Sequence, residues 1–234
     1  MNLFEEENQY LMNTYATLPI EISYGEGSYL FDKNNKKYID FTSGIGVNSL
    51  GYNNEAWKKE VVSQLNSFQH LSNIFTNNST VLLAKKLCQL SGMSKVFFAN
   101  SGAEANECAI KLARKYSFNK YGKERGTILS LNQSFHGRTL ATLTATGQDK
   151  FHNYFFPFPT GFKYTPANSI DDLKENLTSD VCAIIMEAIQ GEGGVHPLDK
   201  SFVLEACKLA KEKDILIIFD EVQCGIARTG KPFG

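Results

Sequence analysis

Four short clusters hold residue types that can do chemistry, and each follows a run of apolar residues. Asp220-Glu221-Val222-Gln223 follows the run 215–219. A carboxylate at the C-terminal end of a buried α/β strand lies where such folds meet their ligands. Beside a heteroaromatic ring nitrogen, Asp220 would keep that nitrogen protonated, because a nearby anion favours the cationic form. The plainer alternative is that it caps the next element. Asn100-Ser101-Gly102-Ala103-Glu104 ends a second run, 95–99, and opens a helical stretch. Free backbone N–H groups and the helix dipole there suit a phosphate, with Gly102 permitting close approach and Ser101 offering a hydroxyl. Ser101-x-x-Glu104 also fits a capping box. Ser134-Phe135-His136-Gly137-Arg138-Thr139 follows a third run, 127–131. Phe135 can cover a planar ring and Arg138 can grip a carboxylate bidentately. Alternatively Phe135 is a core aromatic and Arg138 a surface charge, while His136 reads as structural. Glu187 and Glu192 follow the run 181–186 and precede a glycine turn. They are either an acid/base pair or solvated loop carboxylates.

These clusters need a frame that brings strand ends to one rim. The apolar runs at 95–99, 127–131, 181–186 and 215–219 alternate with helical spacing over 103–116 and 202–213. Short continuous apolar runs separated by helices predict an α/β domain with a mainly parallel sheet covered on both faces. Helical spacing also covers 55–65 and 79–90. Before them, residues 1–52 read as a short helix and a β-hairpin turning at Lys33-Asn34-Asn35-Lys36. The expected division is therefore an N-terminal segment, 1–52, and a large α/β domain, 53–234. Residues 151–165, rich in Phe, Pro and Tyr, read as a long surface excursion bordering a site.

Composition excludes several classes. The net charge is -1, from 24 basic and 25 acidic residues, which gives no overall attraction to nucleic acid or an anionic membrane. No apolar stretch approaches the ~18 residues that span a bilayer. Residues 1–7 are acidic where a targeting peptide would be basic, so the cytosol is the default compartment. The five cysteines form no CxxC pair and the four histidines no HExxH, so reduced thiols and no metal site are expected.

Five blocks then carry a family resemblance. They are Thr42-Ser43-Gly44-Ile45-Gly46-Val47-Asn48-Ser49-Leu50-Gly51, residues 100–106, residues 134–139, Gln190-Gly191-Glu192-Gly193-Gly194 and residues 220–223. In this order, across residues 15–233, the chain resembles class III, fold-type I aminotransferases dependent on pyridoxal 5'-phosphate (PLP), most closely the acetylornithine branch. The resemblance implies the large domain of that fold with its small C-terminal domain absent. It implies that Ser101, Gly102 and Ala103 hold the phosphate and that Phe135 stacks on the ring. Asp220, Glu221, Val222 and Gln223 would form the ring-binding segment, with Asp220 on the nitrogen and Gln223 on the phenolic oxygen. Arg138 would take the substrate α-carboxylate, and Glu192 would help the site alternate between a basic amine and glutamate. The lysine that anchors the cofactor would lie past Gly234, since Lys231 is too near Asp220 to serve. The implied reaction exchanges an amino group between N-acetylornithine and 2-oxoglutarate, a step of arginine biosynthesis, in a homodimer. Ornithine or 4-aminobutyrate aminotransferase is the alternative within the family, and a different PLP reaction such as decarboxylation is a further one. A non-catalytic piece that binds PLP weakly or only dimerises is the alternative of another class. The chain departs from the family pattern at Tyr52, Ala188 and Ala227.

Overall fold

The computed structural model describes residues 3–234. They form two compact units that divide between Thr76 and Asn77.

In the first unit, helix α1 (Leu3–Tyr10) precedes a three-stranded antiparallel sheet of β1 (Ile22–Glu26), β2 (Tyr29–Asp32) and β3 (Lys37–Ile39). The β2–β3 turn is built by Asp32, whose Oδ1 accepts the N–H groups of Asn34 and Lys36 at 2.8 and 2.9 Å. An aspartate that bonds its own downstream backbone in this way mimics a turn. Tyr24 and Phe31 stack across β1 and β2 with centroids 4.5 Å apart. The departure Tyr52 exchanges backbone hydrogen bonds with Gly27 and donates its hydroxyl to Asp40 Oδ2 at 2.8 Å. Helix α2 (Glu55–Leu65) is capped by Asn54, whose side chain accepts Trp57 N–H at 3.0 Å.

The second unit carries helices α3 (Asn78–Ser91), α4 (Gly102–Tyr121), α5 (Leu140–Ala145), α6 (Ile170–Asn176) and α7 (Lys200–Lys213). Its strands are β4 (Thr127–Leu131), β5 (Phe162–Thr165), β6 (Val181–Met186), the short pair β7 (Ile189–Gln190) and β8 (His196–Pro197), and β9 (Leu216–Phe219). The main sheet runs in the order β5-β4-β6-β9 with every pairing parallel. β4 and β6 lie in its interior and are buried at every residue, which is why β6 reads as an unbroken apolar run and β4 as a mainly apolar one, with Thr127 and Ser130 hydrogen-bonded. Ile184 and Met186 face α6 and α7 with Leu173, Phe202 and Ala206. Ala183 and Ile185 face the opposite way, toward Ile110 and Ala113 of α4 and Ala145 of α5. Each fully buried Ile, Leu, Met or Phe contributes roughly 1.5–3 kcal/mol, so these two layers fix the sheet between its helices. Parallel strands place all their C-terminal ends on one rim.

Two expectations need correction. Residues 95–99 are not a strand: they hydrogen-bond into no sheet among the described residues, and Phe97 and Phe98 are exposed. Apolar and aromatic content makes a segment fit for a sheet, but a strand exists only when a neighbour completes its ladder. Residues 151–165 are not all excursion, because 162–165 form the edge strand β5. With only one neighbouring strand, β5 reads Phe-Lys-Tyr-Thr and lacks the continuous apolar signature of the interior strands.

Candidate active site

The rim at the ends of β4, β6 and β9, together with the start of α4, gathers the clusters. Asp220 follows β9 and is buried, at 5% exposure. Its Oδ2 accepts Asn106 Nδ2 from the second turn of α4 at 2.7 Å and lies 2.8 Å from His136 Nδ1. Its Oδ1 accepts the N–H of Val222 at 3.0 Å. Asn106 also donates to the His136 carbonyl at 2.9 Å, so one amide joins the loop after β4 to the loop after β9. Among the described residues His136 Nε2 is buried without a hydrogen-bond partner. That orphan places the ring proton on Nδ1, since a bare buried lone pair costs less than a bare N–H. Burial pushes the Asp220 carboxyl up, but the bonds from His136, Val222 and Asn106 outweigh it and hold the group below the ordinary aspartate value of 3.8.

At the start of α4 only half of the expected capping box is made: Ser101 caps the helix, but the Glu104 side chain reaches past the Ser101 N–H to that of Asn100. Ser101 Oγ accepts Glu104 N–H at 3.2 Å, and Glu104 Oε2 accepts Asn100 N–H at 2.6 Å. The N–H groups of Gly102 and Ala103 stay available, because the first turn of a helix has no acceptor four residues back. Phe135 is half-buried and meets Phe151 edge-on with centroids 5.7 Å apart. Its N–H donates to Glu187 Oε1 at 2.8 Å. Arg138 is exposed on the same loop. In the glycine turn after β7, Glu192 is exposed and accepts Gln223 Nε2 at 3.1 Å. Gln190 Nε2 reaches back to the Asn132 carbonyl at 2.9 Å.

The geometry thus brings Ser101–Ala103, Phe135, Asp220 and, through the Glu192–Gln223 bond, both acidic and amide partners to one rim. Asn106 and His136 hold the Asp220 carboxylate, although residue-type reasoning named neither as a site residue and read His136 as structural. Their signal was faint: a polar residue on the packed face of α4, and a histidine directly after the aromatic.

A bound PLP suits this rim. A carboxylate has about four acceptor positions, and three donors occupy Asp220. Oδ1 therefore retains room for one more donor, such as a protonated ring nitrogen.

The fold is that of the large α/β domain of fold-type I aminotransferases. The chain belongs to the class III aminotransferase family, whose model, Aminotransferase class-III, matches residues 10–234. That family is PLP-dependent. The chain is 52% identical over 225 residues to the acetylornithine aminotransferase of Haemophilus ducreyi, covering 96% of this chain and 57% of that protein. It is 46% identical to the acetylornithine aminotransferase of Methanocaldococcus jannaschii, covering 99% of this chain and 58% of that one. Among solved structures, the ornithine aminotransferase of Toxoplasma gondii superposes with a TM-score of 0.93 at 30% identity, over 98% of this chain and 55% of that one. The chain therefore spans somewhat over half the length of the relatives it matches, corresponding to their N-terminal portion.

Proposed function

We propose that this chain is the cofactor-binding part of an aminotransferase acting on N-acetylornithine and 2-oxoglutarate. The products are N-acetylglutamate 5-semialdehyde and glutamate. The observation that carries this reading is the buried, ionised Asp220, oriented by His136 and Asn106 at the end of β9. Bound PLP supplies a ring that draws electrons from the bond being broken at the amino-bearing carbon. Asp220 holds the proton at the ring nitrogen, which keeps that ring cationic. His136 and Asn106 fix the carboxylate so that its free acceptor position does not drift. Ser101, Gly102 and Ala103 bind the phosphate at the start of α4. Phe135 covers the ring, and Glu221, Val222 and Gln223 complete its edge, with Gln223 serving the phenolic oxygen. Arg138 takes the α-carboxylate of N-acetylornithine, which lies at the far end of that substrate from the amino-bearing carbon. Glu192 neutralises the basic amine and, through Gln223, withdraws when glutamate occupies the site. The complete protein works as a cytosolic homodimer. Among the described residues no helix is long and apolar enough to cross a membrane.

The test is an assay of the complete protein with 2-oxoglutarate and each of N-acetylornithine, ornithine and 4-aminobutyrate. The highest kcat/KM is expected with N-acetylornithine. A preference for 4-aminobutyrate would overturn the substrate assignment.

The partial span favours a second reading for the 234 residues taken alone, namely reversible PLP binding without covalent anchorage. Borohydride treatment of the chain with PLP is then expected to give no single modified lysine. One stable adduct at a unique position would contradict it.

A further inference from the structure

Glu187 follows the last residue of β6 and is buried at 5% exposure, yet its partners are backbone groups from two different loops. Oε1 accepts the N–H of Phe135 at 2.8 Å, and Oε2 accepts the N–H of Gly191 at 3.2 Å. One carboxylate thus ties the loop that presents the ring-covering aromatic to the turn that carries Glu192. The Gly191 end of this tie is crowded. A Cβ at Gly191 would lie 1.4 Å from Gln223 Oε1, and Gln223 Nε2 in turn holds Glu192. Fixing Gly191 therefore seats Gln223, and seating Gln223 sets Glu192.

A buried carboxylate is costly to keep. Two N–H donors arriving from opposite loops explain why the cost is borne here. A carboxylate can accept at both oxygens, whereas a glutamine presents one acceptor and one donor group. We propose that Glu187 is a positioning residue, whose ionised carboxylate clamps the Phe135 loop to the Gly191–Glu192 turn in the arrangement that PLP binding uses. This deepens the PLP reading above and rests on it.

The titratable groups acting on Glu187 are His136 and Asp220, both at the same rim. Burial raises the Glu187 carboxyl above the ordinary glutamate value of 4.5, the Phe135 and Gly191 N–H groups and His136 oppose the rise, and Asp220 adds to it. The clamp consequently loosens at a higher pH than an ordinary glutamate would titrate. Global stability moves the other way. A carboxyl with a raised folded-state pKa stabilises the fold while protonated and loses that contribution as pH rises through the raised value. Relative to wild type, Glu187→Gln is then expected to gain stability as pH rises while its loops become looser. A residue with a merely structural role would not separate these two effects.

The experiment is amide hydrogen exchange on the full chain without PLP, for wild type, E187Q and E187A, followed by PLP titration by absorbance. The Phe135 and Gly191 amides are expected to exchange roughly tenfold faster or more in both variants at neutral pH, the loss of a charge-assisted bond. The Ile184 and Ile185 amides within β6 should be unchanged, and PLP affinity should fall by about tenfold. The difference between wild type and E187Q should shrink as the pH drops through the raised value at which Glu187 takes up its proton. Unchanged Phe135 and Gly191 exchange in E187Q, with normal PLP binding, would overturn the clamp and leave the cofactor reading intact. A parallel loss of protection in β6 would overturn it as well, by showing Glu187 to be a fold residue. Failure of wild type to bind PLP at all would overturn the cofactor reading, and the exchange data would still decide the clamp.

Discussion

Asp220→Ala is expected to weaken PLP binding by on the order of a hundredfold and to destabilise the chain by about 3–5 kcal/mol. The binding loss is that of a charge-assisted hydrogen bond between a carboxylate and a protonated ring nitrogen in a site sheltered from water. The stability loss arises because three donors lose their acceptor together: Asn106 Nδ2, His136 Nδ1 and the Val222 N–H. Each buried, unpaired donor carries its own desolvation cost. Asp220→Asn separates the two effects. It keeps the volume and one acceptor oxygen, so it should fold closer to wild type while still losing most of the affinity. The pH dependence follows from the sign of the shift. Asp220 is held below its ordinary value, so its contribution is present at neutral pH and is lost as pH falls through the depressed value. The stability deficit of Asp220→Asn should accordingly narrow in acid. Titration of PLP by absorbance, with urea unfolding of the same samples, measures both. Wild-type affinity in Asp220→Asn would remove the carboxylate from the site.

Gly147→Ala is expected to cost about 3 kcal/mol, at the upper end of overpacking penalties. For a chain of this size that lowers Tm by roughly 6–12 °C. A Cβ at Gly147 would sit 2.2 Å from the Leu131 carbonyl oxygen and 3.0 Å from Asn132 Cα, both backbone atoms that cannot swing aside. The close approach is itself a joint. Gln133 N–H donates to the Gly147 carbonyl at 2.7 Å, and Gly147 N–H donates to Ser134 Oγ at 3.0 Å. Moving Gly147 therefore moves the end of β4 and the loop that carries Phe135 and His136. PLP affinity should drop along with Tm, since displacement by about 1 Å at such a site is costly. Thermal unfolding followed by far-UV circular dichroism checks this, and an unchanged Tm would contradict the joint.

Much of this was legible in the sequence, for physical reasons that differ between elements. β4 and β6 stand out because burial on both faces favours apolar residues along the strand, the two polar residues of β4, Thr127 and Ser130, being hydrogen-bonded. The clusters at 134–139 and 187–192 stand out because each follows such a strand. Edge strand β5 was hidden by its Lys163 and by the aromatic, proline-rich stretch before it. Helix α5 was hidden by its length of six residues and its threonines. Residues 95–99 show the converse, a strand-like composition that pairs with no strand among the described residues. The least legible features are the long-range bonds. His136 and Asp220 are separated by 84 residues, and Asn106 and Asp220 by 114. Nothing in the local pattern of either partner announces the other, so His136 read as structural with no partner named, and the parallel sheet supplies one by bringing β4 and β9 to the same rim.

The central claim is that Asp220 holds a proton on the nitrogen of a bound pyridine ring. The direct measurement is the 15N chemical shift of PLP labelled at the ring nitrogen and bound to the protein at pH 8. A protonated, pyridinium-type shift in wild type that reverts to the neutral pyridine value in Asp220→Asn is the result predicted. A neutral pyridine nitrogen in the wild-type complex would contradict the account.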